Sequence, residues 1–161
     1  MDWVAPWPPN MESSMHEVLK KFRRYARGTA ESQRLCRDLI EDVRNRTGAI
    51  PQETVSNIKS DKTGNQRDEP PYLIYLPDDA PRFALIETIN SRETGVVVSI
   101  YGDSKDHESA DLSALRTAGK PRKSYSKIAI RSEQDLPAAS RLLLRAYELK
   151  RKRVQARAGE N

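Results

Sequence analysis

From Met11 onward apolar residues recur at helical spacing: Met11, Met15, Val18, Phe22 and Tyr25 are four, three, four and three apart and share one helix face. Lys20, Lys21, Arg23, Arg24 and Arg27 lie between them and give a strongly basic opposite face. Gly28 and Thr29 interrupt the run, and a second helix is predicted from Leu35, Leu39 and Val43, with Cys36 and Ile40 alongside. Cys36 is expected to act as a small buried hydrophobe. Gly48 stands where a helix C-cap glycine belongs, after Arg44 and Arg46 in the last turn. One long helix is the alternative, because a single glycine costs only about 1 kcal/mol in a helix. Pro51 suits the first position of a further short helix, with Val55 and Ile58 on its inner face.

Residues 61–70 are polar and mark the one internal boundary, after which the period changes from 3.6 to 2. Tyr72 to Leu76, Arg82 to Ile89, Gly95 to Tyr101 and Tyr125 to Ile130 read as strands, with a hairpin between the second and third. Residues 102–123 read as a long polar loop in which Leu112 and Leu115 form one helical turn. Ser132 with Asp135 three residues on resembles a capping box. The helix it opens carries Leu136, Ala139, Leu142, Leu143, Ala146 and Leu149 inward and ends in Lys150-Arg151-Lys152-Arg153. The expected fold class is α+β: N-terminal helices followed by a small antiparallel sheet of about four strands with a C-terminal helix packed on it. The expected organisation is a Pro/Trp-rich flank at 1–10, a helical region at 11–60, a linker at 61–70, an α+β domain at 71–153 and a polar tail at 154–161. Trp3 and Trp7 in the flank either fold back onto the domain or offer a sticky peptide to a partner.

Composition narrows the function classes. The 161 residues suit about one domain. Charged residues make up 32% of them, above the norm of about 25%. No apolar run approaches the roughly 18–20 residues of a membrane span, so no membrane partner is expected. The single cysteine excludes an intrachain disulfide and a cysteine-rich zinc site. The N-terminus lacks signal-peptide order, which makes the cytoplasm the expected location. The net charge of +5 conceals an asymmetry. Residues 1–60 hold ten Lys/Arg against eight Asp/Glu, residues 61–119 six against eleven, and residues 120–161 twelve against four. A basic end of this kind attracts polyanions, nucleic acid first among them. The residues expected to do so are Lys120, Arg122, Lys123 and Lys127, near the fourth strand, and Lys150, Arg151, Lys152 and Arg153 at the tail. The alternative is a solvated helical tail.

Catalytic residue sets are sparse. His16 and His107 each lack a second histidine nearby, and His107 with Asp103, Asp106, Glu108 and Asp111 does not have the spacing of an EF-hand loop. There is no glycine-rich phosphate loop and no Gly-x-Ser-x-Gly elbow. No metal, no cofactor and no catalytic residues are expected. Pro77-Asp78 followed by Glu87-Thr88-Ile89 is similar to the pattern of metal-dependent nucleases, with Ile89 where those enzymes carry lysine. An inward-pointing Glu87 would need a partner such as Arg82, Arg131 or Tyr125.

Leu39, Val43 and Gly48, followed by Thr54-Val55-Ser56-Asn57-Ile58, resemble the helix-turn-helix of small bacterial DNA-binding proteins. That resemblance implies Gln52, Glu53, Ser56, Asn57 and Lys59 at the major groove and Arg44 and Arg46 near phosphates. The stretch from the strands through Ile128-Ala129-Ile130-Arg131-Ser132-Glu133-Gln134-Asp135-Leu136 to Arg145-Ala146-Tyr147-Glu148 resembles small bacterial α+β modules of uncharacterised function. Some of these are linked with restriction or other DNA transactions, and the resemblance implies a fold and an association with nucleic acid. The expected function is therefore a non-enzymatic accessory module contacting nucleic acid through basic surface. The alternatives are a protein-interaction or homodimerisation factor using the Met11–Tyr25 face and, third, a metal-dependent nuclease.

Overall fold

Thr29 starts the longest N-terminal helix: its backbone is extended and its hydroxyl accepts a hydrogen bond from Ser32 N at 3.1 Å. Helix α3 (Ala30–Thr47) then runs to Gly48, which takes φ +77° and closes the C-cap. Two shorter helices precede it, α1 (Met11–Leu19) and α2 (Arg23–Ala26), separated by an extended Phe22. That break resets the helical phase. Met15, Leu19 and Tyr25 are buried, whereas Val18 and Phe22, expected on the inner face, stay partly exposed.

The molecule is a computed structural model, and it describes residues 11–53, 59–60, 66–67, 73–76, 82–91 and 95–159. The architecture is α+β, with helices first, then an antiparallel sheet, then a C-terminal helix packed on it. Three longer strands form the body of the sheet: β5 (Ala84–Ser91), β6 (Gly95–Tyr101) and β7 (Tyr125–Ile130). Two four-residue strands, β1 (Ile50–Glu53) and β4 (Leu73–Leu76), extend it in the order β1-β4-β5-β6-β7. A separate two-residue ladder joins β2 (Lys59–Ser60) and β3 (Gln66–Arg67).

Three expectations are corrected. The helix expected to open at Pro51 is absent, because Ile50–Glu53 is instead the edge strand β1, in register with Leu73–Leu76. An edge strand tolerates Pro51 because its missing N–H need not enter a ladder. The segment 61–70 does not separate two units, since β1 and β4 on either side of it are paired. Arg23 N also donates to Glu53 Oε2 at 2.7 Å, which ties α2 to β1. The polar tail at 154–161 is helical through Gly159, as the last turns of α5 (Leu136–Gly159).

One core joins everything. Leu35, Cys36, Leu39, Ile40 and Val43 of α3, with Ala139, Leu142, Leu143 and Ala146 of α5, cover Ile86, Val98, Ile100 and Ile128 of the sheet. On the other sheet face Leu85, Val97, Ser99 and Ala129 are also buried. Helix α4 (Ser109–Ala114) supplies the helical turn expected in the 102–123 connection. Asp135 Oδ2 accepts from Arg131 N at 2.8 Å and Ser132 N at 3.3 Å, so the cap before α5 forms as expected. No helix among the described residues is long and apolar enough to cross a membrane.

Candidate nucleic-acid interface

At one end of the sheet β6 finishes and β7 begins, and their terminal residues Tyr101 and Tyr125 are register partners. Their rings meet edge to face, with centroids 5.6 Å apart and planes at 83°. Helix α5 brings Lys150 to the same place, its Nζ lying 4.2 Å from the centre of the Tyr101 ring. Arg82, just before β5, acts electrostatically on both Tyr125 and Lys150. Arg122 acts on Tyr125, and Arg153 and Arg157 act on Lys150. Partial burial, followed by repulsion from Arg153, Arg157 and Arg82, holds the Lys150 ammonium below the usual lysine range. Burial raises the Tyr125 phenol, although Arg82 and Arg122 oppose it.

The two basic segments, about 25 residues apart in the chain, therefore converge. Lys120, Arg122 and Lys123 are exposed in the connection that enters β7, and Lys152 and Arg153 are exposed on α5. No carboxylate among the described residues pairs with Lys120, Lys123, Lys150, Lys152 or Arg153. Arg151 is partly committed elsewhere, its Nη1 donating to Tyr147 Oη at 2.8 Å.

Glu87 brings an acid to the basic segment that enters β7. Its carboxylate, with the side chain 17% exposed, lies 3.6 Å from both Arg122 Nε and Lys127 Nζ. Ser99 Oγ donates to it at 2.6 Å. Glu87 thus finds its partners in Ser99, Arg122 and Lys127, rather than in Arg82, Arg131 or Tyr125. This pairing takes part of the positive charge from Arg122 and Lys127. Asp78, the other acid of the nuclease-like pattern, lies outside the described residues.

The other sequence-derived site residues are not gathered here. Lys59 is in β2, opposite Arg67, and Asn57 lies outside the described residues, as do Trp3, Trp7, Val55 and Ile58. Gln52 and Glu53 sit on a strand, so they do not present the major-groove face that the helix-turn-helix resemblance implies. Arg82, Tyr101, Tyr125 and Arg157 belong to the cluster but carry no local sequence signal. Only the strand register and the path of α5 bring them together.

Among the described residues, Cys36 and Tyr25 serve the core. Burial pushes the Cys36 thiol up to about 12, which leaves it protonated and inert. Tyr25 is fully buried, accepting from Arg37 Nη1 at 2.9 Å with His16 Nδ1 2.8 Å away, and this pins α1 and α2 to α3. Among the described residues no three His, Cys, Asp or Glu side chains are grouped to hold a metal ion. A surface cavity of about 700 Å3 includes His107, Asp111, Arg141 and Arg145 in its lining. Both arginines there already have partners: Arg141 forks onto Asp111 at 2.8 and 3.0 Å, and Arg145 reaches the Asp106 carbonyl at 3.3 Å and Glu148 at 3.7 Å. The Arg141 hydrogen bonds hold the Asp111 carboxyl below the usual carboxylate range. No protein family, no curated protein and no solved structure matches the chain.

Proposed function

We propose that this chain is a non-enzymatic binding module, an accessory protein that contacts nucleic acid through the basic end of its sheet. The observation that carries this reading is the meeting of the two basic segments at the Tyr101–Tyr125 pair, where Lys150 Nζ lies 4.2 Å from the centre of the Tyr101 ring and Lys120, Arg122 and Lys123 lead into Tyr125. Like charges that find no carboxylate partner among the described residues raise the energy of the isolated protein, and a row of phosphates relieves that repulsion. Phosphate contact requires only reach and positive charge, both of which exposed lysines and arginines on a helix end and a connecting loop supply.

Fluorescence anisotropy with a labelled oligonucleotide tests the proposal. Raising salt from about 50 to 200 mM is expected to weaken binding by at least tenfold, since each released counterion contributes to the salt slope. Lys150→Glu together with Arg153→Glu is expected to weaken binding further and to flatten that slope by about two units. A salt-independent affinity, or no binding at the lower salt, rejects the reading.

A further inference from the structure

Resting on the nucleic-acid reading above, we infer that this interface takes single-stranded nucleic acid, with an unstacked base seated on Tyr125 and the surrounding cations following the backbone. Tyr125 and Tyr101 differ from Tyr25 and Tyr147. Tyr25 and Tyr147 both engage their phenols, with Arg37 and Arg151 respectively. Neither Tyr101 nor Tyr125 makes a phenol hydrogen bond among the described residues, and both are only half-buried. Such a ring contributes area without being locked into the interior.

The two rings also differ from each other. Tyr101 carries Lys150 above its face, whereas no described cation covers Tyr125. Tyr101, with Lys150 over its own ring, thus meets the ring of Tyr125 edge to face, and Arg82 and Arg122 bring positive charge to it. Aromatic rings interleaved with cations suit single strands: every base has a π-face for stacking, and the phosphates meet the charge. A duplex hides those faces inside its own stack. Reading a duplex by its edges requires an element that enters a groove. Tyr125 instead sits at the start of β7, the edge strand of the five-stranded sheet, opposite the last residue of β6. This placement favours a base laid against the sheet end over a groove occupied by protein.

The test compares a labelled single strand of about 12 nucleotides with the duplex of the same sequence. The single strand is expected to bind at least tenfold more tightly at low salt. Tyr125→Leu is expected to lower single-strand affinity by roughly 5- to 100-fold, several times more than it lowers duplex affinity, without changing the salt slope, while Tyr125→Phe retains wild-type affinity. Tyr125 is half-buried, so wild-type protein is also photocrosslinked to a strand bearing 5-iodouracil. The adduct is expected on Tyr125 or Tyr101. Equal or tighter duplex binding, or an unaffected Tyr125→Leu variant with no tyrosine adduct, overturns the stacking inference. If Lys150→Glu still weakens both ligands in that case, the nucleic-acid reading survives alone. No binding to either ligand at low salt removes both.

Discussion

His107 is sequestered although it lies in an acidic stretch of the chain. Its side chain is 6% exposed, and Nε2 lies 2.8 Å from the Tyr101 carbonyl. A carbonyl only accepts, so Nε2 carries the proton of the neutral ring and Nδ1 is left a buried acceptor without a donor. Gly102 makes this possible: its φ is +110°, and a Cβ there would stand 2.6 Å from Nε2. Burial lowers the His107 pKa, with Arg145 adding to the effect, and it prevails over the Tyr101 carbonyl and the charges of Asp106 and Asp103. With the folded-state value below the unfolded one, the neutral ring contributes stability above the unfolded pKa of about 6.5. That contribution disappears as pH falls through the folded-state value. Thermal unfolding is therefore expected to drop more steeply on acidification from about pH 7.5 to 5 in wild type than in His107→Gln, whose amide can still donate to Tyr101. Identical acid profiles in the two proteins would contradict this account. The side chain also anchors the end of β6, where Tyr101 stands.

Elements whose ends carry their own chemistry are the ones best read from sequence. Gly48 closes α3, Asp135 caps the turn into α5, and Leu142, Leu143 and Ala146 lie inward as the periodicity requires. Thr29, which the residue pattern marks only as a break, caps the other end of α3, where its hydroxyl satisfies an amide that the first turn leaves without a helical partner. Thr29→Ala is expected to cost about 1 kcal/mol in urea denaturation, and Thr29→Asp much less. An unchanged midpoint for Thr29→Ala would show that the helix start is held by packing alone. The element misread locally is β1. Ile50-Pro51-Gln52-Glu53 obeys the rules for a helix start, yet its partner is Leu73–Leu76, more than twenty residues downstream. Local grammar has no access to that pairing, and proline suits a helix start and a sheet edge equally well.

At the scale of the whole molecule, the helical region and the sheet fold as one body. Helix α3 packs on β5, β6 and α5, and its buried residues share a single core with theirs. Burying each of Leu35, Leu39, Ile40 and Val43 stabilises the fold by about 1.5–3 kcal/mol. Together these side chains rival the net stability of an ordinary domain, about 5–15 kcal/mol. A fragment of residues 71–161 is accordingly expected to lack a cooperative thermal transition by circular dichroism and calorimetry. A sharp two-state melt in that fragment would reinstate the boundary at 61–70. The basic ends are brought together at this scale too. Helix α5 spans the sheet and delivers Lys150 to the strand end that Lys120, Arg122 and Lys123 lead into.

The order of apolar and polar residues was enough to determine the α+β class, the C-terminal end of α3, the extents of β6 and β7, the start of α5, the burial of Cys36 and the excess of positive charge near the C-terminus. Each depends on neighbours within a few residues, through helical or strand periodicity or a capping side chain. Tertiary structure alone decided that β1 is a strand, that Glu87 pairs with Arg122 and Lys127, and that Tyr101, Tyr125, Arg82 and Lys150 occupy one place. Those relations join residues separated by one strand pairing or by a helix crossing the sheet. Their energies come from contacts that exist only once the chain has closed on itself.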